Sequence, residues 1–157
     1  MVSIDHLNIV VSDLQRSLDF YCGILGFTET RRAILHGEWI DKVVGLRGVK
    51  AEVVYILAPG GEPRIELLSY QHPAGEKLHQ TSIPNTHGLR HFALRVDNLE
   101  AILKKIRGAG ISPLGQVVTV PSGIVKHDAG EKSLVYLLDP DGVILELAEY
   151  KLDMTGS

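Results

Sequence analysis

With 157 residues, the chain is long enough for one ordinary domain or for two small halves sharing a core, and too short for two independent domains. A composition of 45% hydrophobic and 22% charged residues supports a folded core, and a formal charge of −3 gives no global attraction for nucleic acid or for an anionic membrane. The single cysteine, Cys22, excludes an intrachain disulfide, and neither a leader-like start nor an apolar run near the roughly 18 residues of a membrane span is visible. The expectation is a cytoplasmic protein acting on a small molecule.

The first predicted element is a strand in which Leu7, Ile9 and Val11 face one side and His6 and Asn8 the other. A helix follows, with Ser12 and Gln15 read as N-cap and N3 of a capping box and Leu14, Leu18, Cys22 and Leu25 as its apolar stripe. Residues 31–50 carry the only tryptophan, Trp39, and exceed a tight hairpin; they read either as a lid or as a loop whose Trp39 and Ile40 plug the core. Next come two strands: one carries Glu52 and Tyr55, and in the other Ile65 and Leu67 oppose Glu66. Residues 71–87 form a polar linker.

The pattern then restarts. An offset of 85 places His91 over His6, Leu94 over Ile9, Val96 over Val11 and Leu103 over Leu18. Here Asp97 with Glu100 reads as the cap pair, and Leu99, Leu103 and Ile106 as the stripe. At the far end, Val135–Tyr150 repeats Val54–Tyr70 with one residue fewer in the turn, matching Tyr136 to Tyr55 and Glu146 to Glu66. The fold expectation is α+β. Two tandem βαβββ modules, 3–70 and 88–150, would form curved mixed sheets around a shared cavity within a single 1–157 domain, and a homodimer is expected.

By strand parity His6, Glu66, His91 and Glu146 all lie on the faces turned away from the helices. Two neutral imidazoles and two carboxylates balance a divalent ion and leave two positions open in an octahedral shell, as Ni, Co, Mn or Fe prefers; Zn accepts the same donors. His36, His72, His79, His87 and His127 lie in loop-like sequence without repeat partners and read as solvated.

The stretches DHLNIVVSDLQRSLDFYCGILGF, RIELLSY, GLRHFALRVDNLEAIL and LLDPDGVILELAEY resemble the vicinal oxygen chelate superfamily of glyoxalases, bleomycin-resistance proteins and extradiol dioxygenases over nearly the whole chain. The resemblance implies that His6, Glu66, His91 and Glu146 are the metal ligands, a set similar to that of glyoxalase I and close to that of methylmalonyl-CoA epimerase. The DPDG turn and Arg90 depart from the epimerase pattern.

The implied reaction is lyase or isomerase chemistry. One divalent ion would chelate a substrate through vicinal oxygens, and Glu146 or Glu66 would act as the base through an enolate or enediolate. Glu52 is a candidate second base, and Tyr55 and Tyr136 are candidate hydrogen-bond partners of the ligands. The alternatives are an Fe(II) extradiol-type dioxygenase using His6, His91 and Glu146, in which a fourth ligand at Glu66 would occupy a needed position, and a non-enzymatic antibiotic-binding resistance protein.

Overall fold

A computed structural model describes residues 1–77, 83–121 and 130–151. It divides into two compact units, Met1–Leu78 and His79–Ser157. In the first, the order is β1 (His6–Val10), α1 (Leu14–Leu18), β2 (Thr28–His36), α2 (Glu38–Val44), β3 (Lys50–Ala58) and β4 (Gly61–His72). In the second it is β5 (His91–Arg95), α3 (Leu99–Gly108), β6 (Val118–Thr119), β7 (Glu131–Leu138) and β8 (Ile144–Lys151). Each unit forms one four-stranded mixed sheet, in the orders β1-β4-β3-β2 and β5-β8-β7-β6. This is the tandem βαβββ arrangement, with α2 added in the first copy.

In each unit the first strand pairs in parallel with the last, and the last two strands form an antiparallel hairpin. A parallel pair needs a crossover rather than a turn, which is the place taken by α1 and α3. The registers correspond residue for residue. Glu66 lies between Asn8 and Tyr55, and Glu146 lies between Ala93 and Tyr136. The extra residue of the first hairpin is absorbed at its turn, so both glutamates stay in phase. In the second hairpin the turn is built on Asp139, whose Oδ1 accepts hydrogen bonds from the backbone N–H of Asp141 (2.9 Å) and of Val143 (2.8 Å).

The helix starts differ from expectation by one residue in both units. Asp13, not Ser12, is the first N-cap, accepting from Arg16 N at 3.0 Å; Asn98, not Asp97, is the second, accepting from Ala101 N at 2.8 Å. These two caps keep the 85-residue offset. No capping box forms in the first helix, because Gln15 turns to Asp19 Oδ1 (2.8 Å) and Ser12 Oγ accepts from Arg16 Nη2 (2.9 Å).

The expected Cys22–Leu25 continuation of the first stripe also fails. After Leu18 the chain widens into a π-helical turn over Asp19–Ile24, with Leu25 N donating to Phe20 O five residues back. That rotation buries Phe20 and Tyr21 and leaves Cys22 only half-buried. In α3 the expected stripe holds: Leu99, Leu103 and Ile106 are all buried.

Residues 31–50, expected as a long loop, are mostly regular: they complete β2 and form α2. Ile40 packs with Val49, Ala51, Val53 and Leu68, whereas Trp39 is 57% exposed, so only the isoleucine serves the core. Asp41 Oδ1 and Oδ2 accept from Val49 N and Gly48 N, both at 2.8 Å, and fasten the helix to β3. Gln71 and His72, expected in the linker, belong to β4, and His36 ends β2. His36, His72 and His87 are exposed; His79 and His127 lie outside the described residues.

Candidate metal centre

Strand alternation places Ile65 and Leu67 in the first core and Leu145 and Leu147 in the second, so Glu66 and Glu146 must emerge on the other face. The parallel partner strand supplies the histidine two residues before the position opposite each glutamate. His6 Nε2 then stands 3.4 Å from Glu66 Oε2, and His91 Nε2 stands 3.4 Å from Glu146 Oε2. The two imidazoles are 37% and 36% exposed, and the carboxylates 14% and 6%. The structure therefore brings His6 together with Glu66, and His91 together with Glu146, as two matched pairs.

Around the first pair the hydrogen bonding is directed. Asn8 Nδ2 donates to Glu66 Oε2 and the Tyr55 hydroxyl donates to Glu66 Oε1, each at 2.7 Å. That bond to Glu66, helped by burial, raises the Tyr55 phenol above the ordinary tyrosine range. Asp5 Oδ2 lies 2.7 Å from His6 Nδ1, and the Arg64 guanidinium bonds both Asp5 oxygens at 2.9 Å. Bonding to His6 and then to Arg64 holds the Asp5 carboxyl below its usual range. With Nδ1 donating to Asp5, the lone pair of His6 is on Nε2, facing Glu66.

The second pair is held otherwise. Lys132 Nζ lies 2.6 Å from Glu146 Oε1, a buried charge-assisted contact. Burial works to lower the pKa of the Lys132 ammonium, but the hydrogen bond and charge of Glu146 outweigh it and hold it above the usual lysine range. The Tyr136 ring is tilted 4.9 Å from that of His91, and burial, then the charge of Glu146, raises the Tyr136 phenol.

The donor set suits a divalent ion. In each unit an imidazole nitrogen and a carboxylate oxygen lie 3.4 Å apart, close enough to be held by one ion. A cation beside His6 would satisfy its Nε2 lone pair, which otherwise faces the Glu66 carboxylate. Each unit provides a pair, and among the described residues no cluster of three or more His, Cys, Asp or Glu is assembled.

Glu52 is not brought to its unit's pair. It lies on the opposite face of β3 from Tyr55 and pairs with Arg32 Nη1 at 2.8 Å. Trp39 points its exposed ring to solvent from α2. Sequence reasoning passed over Asp5, Arg64 and Lys132. Asp5 adjoins His6, and Lys132 shares the face of Tyr136 four residues on, at the position that Ala51 occupies in the first unit: Ala51 pairs with Tyr70, and Lys132 with Tyr150.

Residues 3–147 match the model of the Glyoxalase/Bleomycin resistance protein/Dioxygenase superfamily. The chain belongs to this superfamily. Among its relatives is a probable lactoylglutathione lyase of Synechocystis sp., 31% identical over 92% of each chain. Another is the glutathione transferase FosA of Serratia marcescens, 28% identical over 92% of this chain and 79% of that one. A glyoxalase family protein of Bacillus cereus has a solved structure that superposes with a TM-score of 0.80 at 25% identity, covering 95% of this chain and 94% of that one. No helix among the described residues is long and apolar enough to cross a membrane.

Proposed function

We propose that this superfamily member is a divalent-metal-dependent lyase or isomerase of the glyoxalase type, in which the His6–Glu66 and His91–Glu146 pairs serve one ion. The observation that carries this reading is the duplicated 3.4 Å His–Glu pair, set on equivalent strands in both units. The likeness to a protein named probable lactoylglutathione lyase supports the same class. Ni, Co, Mn, Fe or Zn fits the donors. When bound, the ion supplies Lewis acidity and two exchangeable positions for the neighbouring oxygens of a small substrate.

The residues of the chain do the rest. Asp5 orients His6 so that Nε2 faces the site. Asn8 and Tyr55 fix both oxygens of Glu66, which suits a permanent ligand. Glu146, held by Lys132 and bordered by Tyr136, is the carboxylate we assign to take a proton from the carbon next to the substrate carbonyl.

The test is proton exchange. Metal-loaded protein given a hydroxy-ketone or a 2-oxoaldehyde–thiol adduct in heavy water should incorporate deuterium at that carbon without consuming oxygen. Glu146→Gln should slow incorporation by roughly 10²–10⁴-fold. Oxygen uptake with a catechol, or tight antibiotic binding without turnover, would overturn the reading.

A further inference from the structure

In the first sheet, cross-strand register sets Arg31, Tyr55, Glu66 and Asn8 in one row across all four strands. The next row on that face, Ala33, Val53 and Leu68, is covered by α2: Ile40 packs on Val53 and Leu68, which are 1% and 7% exposed. On the opposite side of Glu66 along β4, the Arg64 guanidinium is engaged by both oxygens of Asp5 at 2.9 Å. The row that holds Glu66 therefore runs between these two and ends in a neutral amide, Asn8, on β1 and in a cation, Arg31, on β2.

Arg31 reaches this face through a β-bulge. Glu29 pairs with Ile56 and Arg31 with Tyr55, so Thr30 is the extra residue, and its hydroxyl donates to the Tyr55 carbonyl at 3.1 Å. Without the bulge Thr30 would stand opposite Tyr55, and Arg31 would turn with Val54 to the other face. Arg32 does face that way, where Glu29 bonds it at 3.0 Å and Glu52 at 2.8 Å. Arg31, by contrast, is exposed and among the described residues pairs with no carboxylate. An unpaired guanidinium offers a planar fork of donors that matches a carboxylate.

We propose that Arg31 is a specificity-determining residue that receives a carboxylate of the substrate, the substrate lying across Tyr55 from the ion to the edge of the sheet. The inference rests on the metal-site reading above, since it takes Glu66 as the point where the chelating oxygens are held. Strands about 4.8 Å apart put the Arg31 and Glu66 backbones about 10 Å from each other, so the carboxylate stands several bonds away from the chelating oxygens. The substrate class narrows from any molecule with vicinal oxygens to one whose tail ends in an anion.

Two hydroxamates of equal size test this, since a hydroxamate chelates through two neighbouring oxygens. Adipic monohydroxamic acid carries a carboxylate at the end of a flexible chain, and its primary-amide analogue does not. Titrated calorimetrically into Co²⁺-loaded protein, the acid should bind about tenfold more tightly than the amide, the lower end of the range for hydrogen bonds to charged groups because Arg31 is exposed. Arg31→Met should abolish that preference while leaving the affinity for the amide unchanged, which also reports a folded, loaded site. Arg32→Met, on the opposite face, should retain it. Equal binding of acid and amide by the wild type, a preference intact in Arg31→Met, or an equal loss in Arg32→Met would overturn the assignment of Arg31 alone. Binding of neither hydroxamate would overturn the chelating site, and the role of Arg31 with it.

Discussion

Replacing Lys132 by methionine removes the ammonium from the Glu146 carboxylate while keeping a side chain of similar length. The Glu146 side chain is only 6% exposed, so in the metal-free protein its charge would be buried without a partner. Breaking a buried ion pair in this way costs about 3–5 kcal/mol; the 14% exposure of Lys132 places this case near 3 kcal/mol. For a chain of this length that corresponds to a fall in Tm of roughly 6–12 °C. A divalent ion on Glu146 replaces the lost cation, so most of the deficit should vanish in Co²⁺-loaded protein. By linkage the same 3 kcal/mol must reappear as metal affinity, tighter by roughly a hundredfold. Thermal unfolding with and without Co²⁺, together with metal titration of both proteins, measures the two halves of the cycle. An equal loss of Tm in the two states with unchanged metal affinity would show that no ion reaches Glu146.

Other outcomes follow from the same contacts. Both phenols beside the glutamates should titrate above the ordinary tyrosine range. Glu66→Gln should lower the pKa of Tyr55 more than Glu146→Gln lowers that of Tyr136, because the bond to Glu66 is the main cause in the first case and burial in the second; NMR titration of labelled tyrosines reads both. Asp13→Ala and Asn98→Ala should each cost about 1 kcal/mol in denaturant unfolding, and Asp97→Ala clearly less, if the caps lie where the hydrogen bonds place them. Asn8→Ala should loosen Glu66 and weaken metal binding about tenfold, within the range for removing a partner of a ligand, whereas Glu52→Gln should leave metal affinity unchanged.

The parts of the fold legible in the sequence are those governed by period and repetition. Alternation assigned Leu7, Ile9, Leu67 and Leu147 to one face and His6, Glu66 and Glu146 to the other, and the repeat fixed which residues correspond. Competing local choices were not legible. Ser12 and Asp13 can each cap a helix, and only the backbone turn decides between them. The π-helical turn that exchanges Cys22 for Phe20 and Tyr21 leaves no periodic trace, because it changes the hydrogen-bond step and not the composition. Partners remote in sequence were hidden too: Glu52 reads as a solvated strand residue until Arg32 is placed across from it, and Lys132 as an ordinary surface lysine until β7 lies beside β8.

Metal content after equilibration with Co²⁺ and removal of excess tests directly whether His6, Glu66, His91 and Glu146 hold one ion, as proposed. One ion is expected for each set of four ligands in the wild type, and its loss in both His6→Ala and Glu146→Ala. Wild-type metal content in either variant would contradict it.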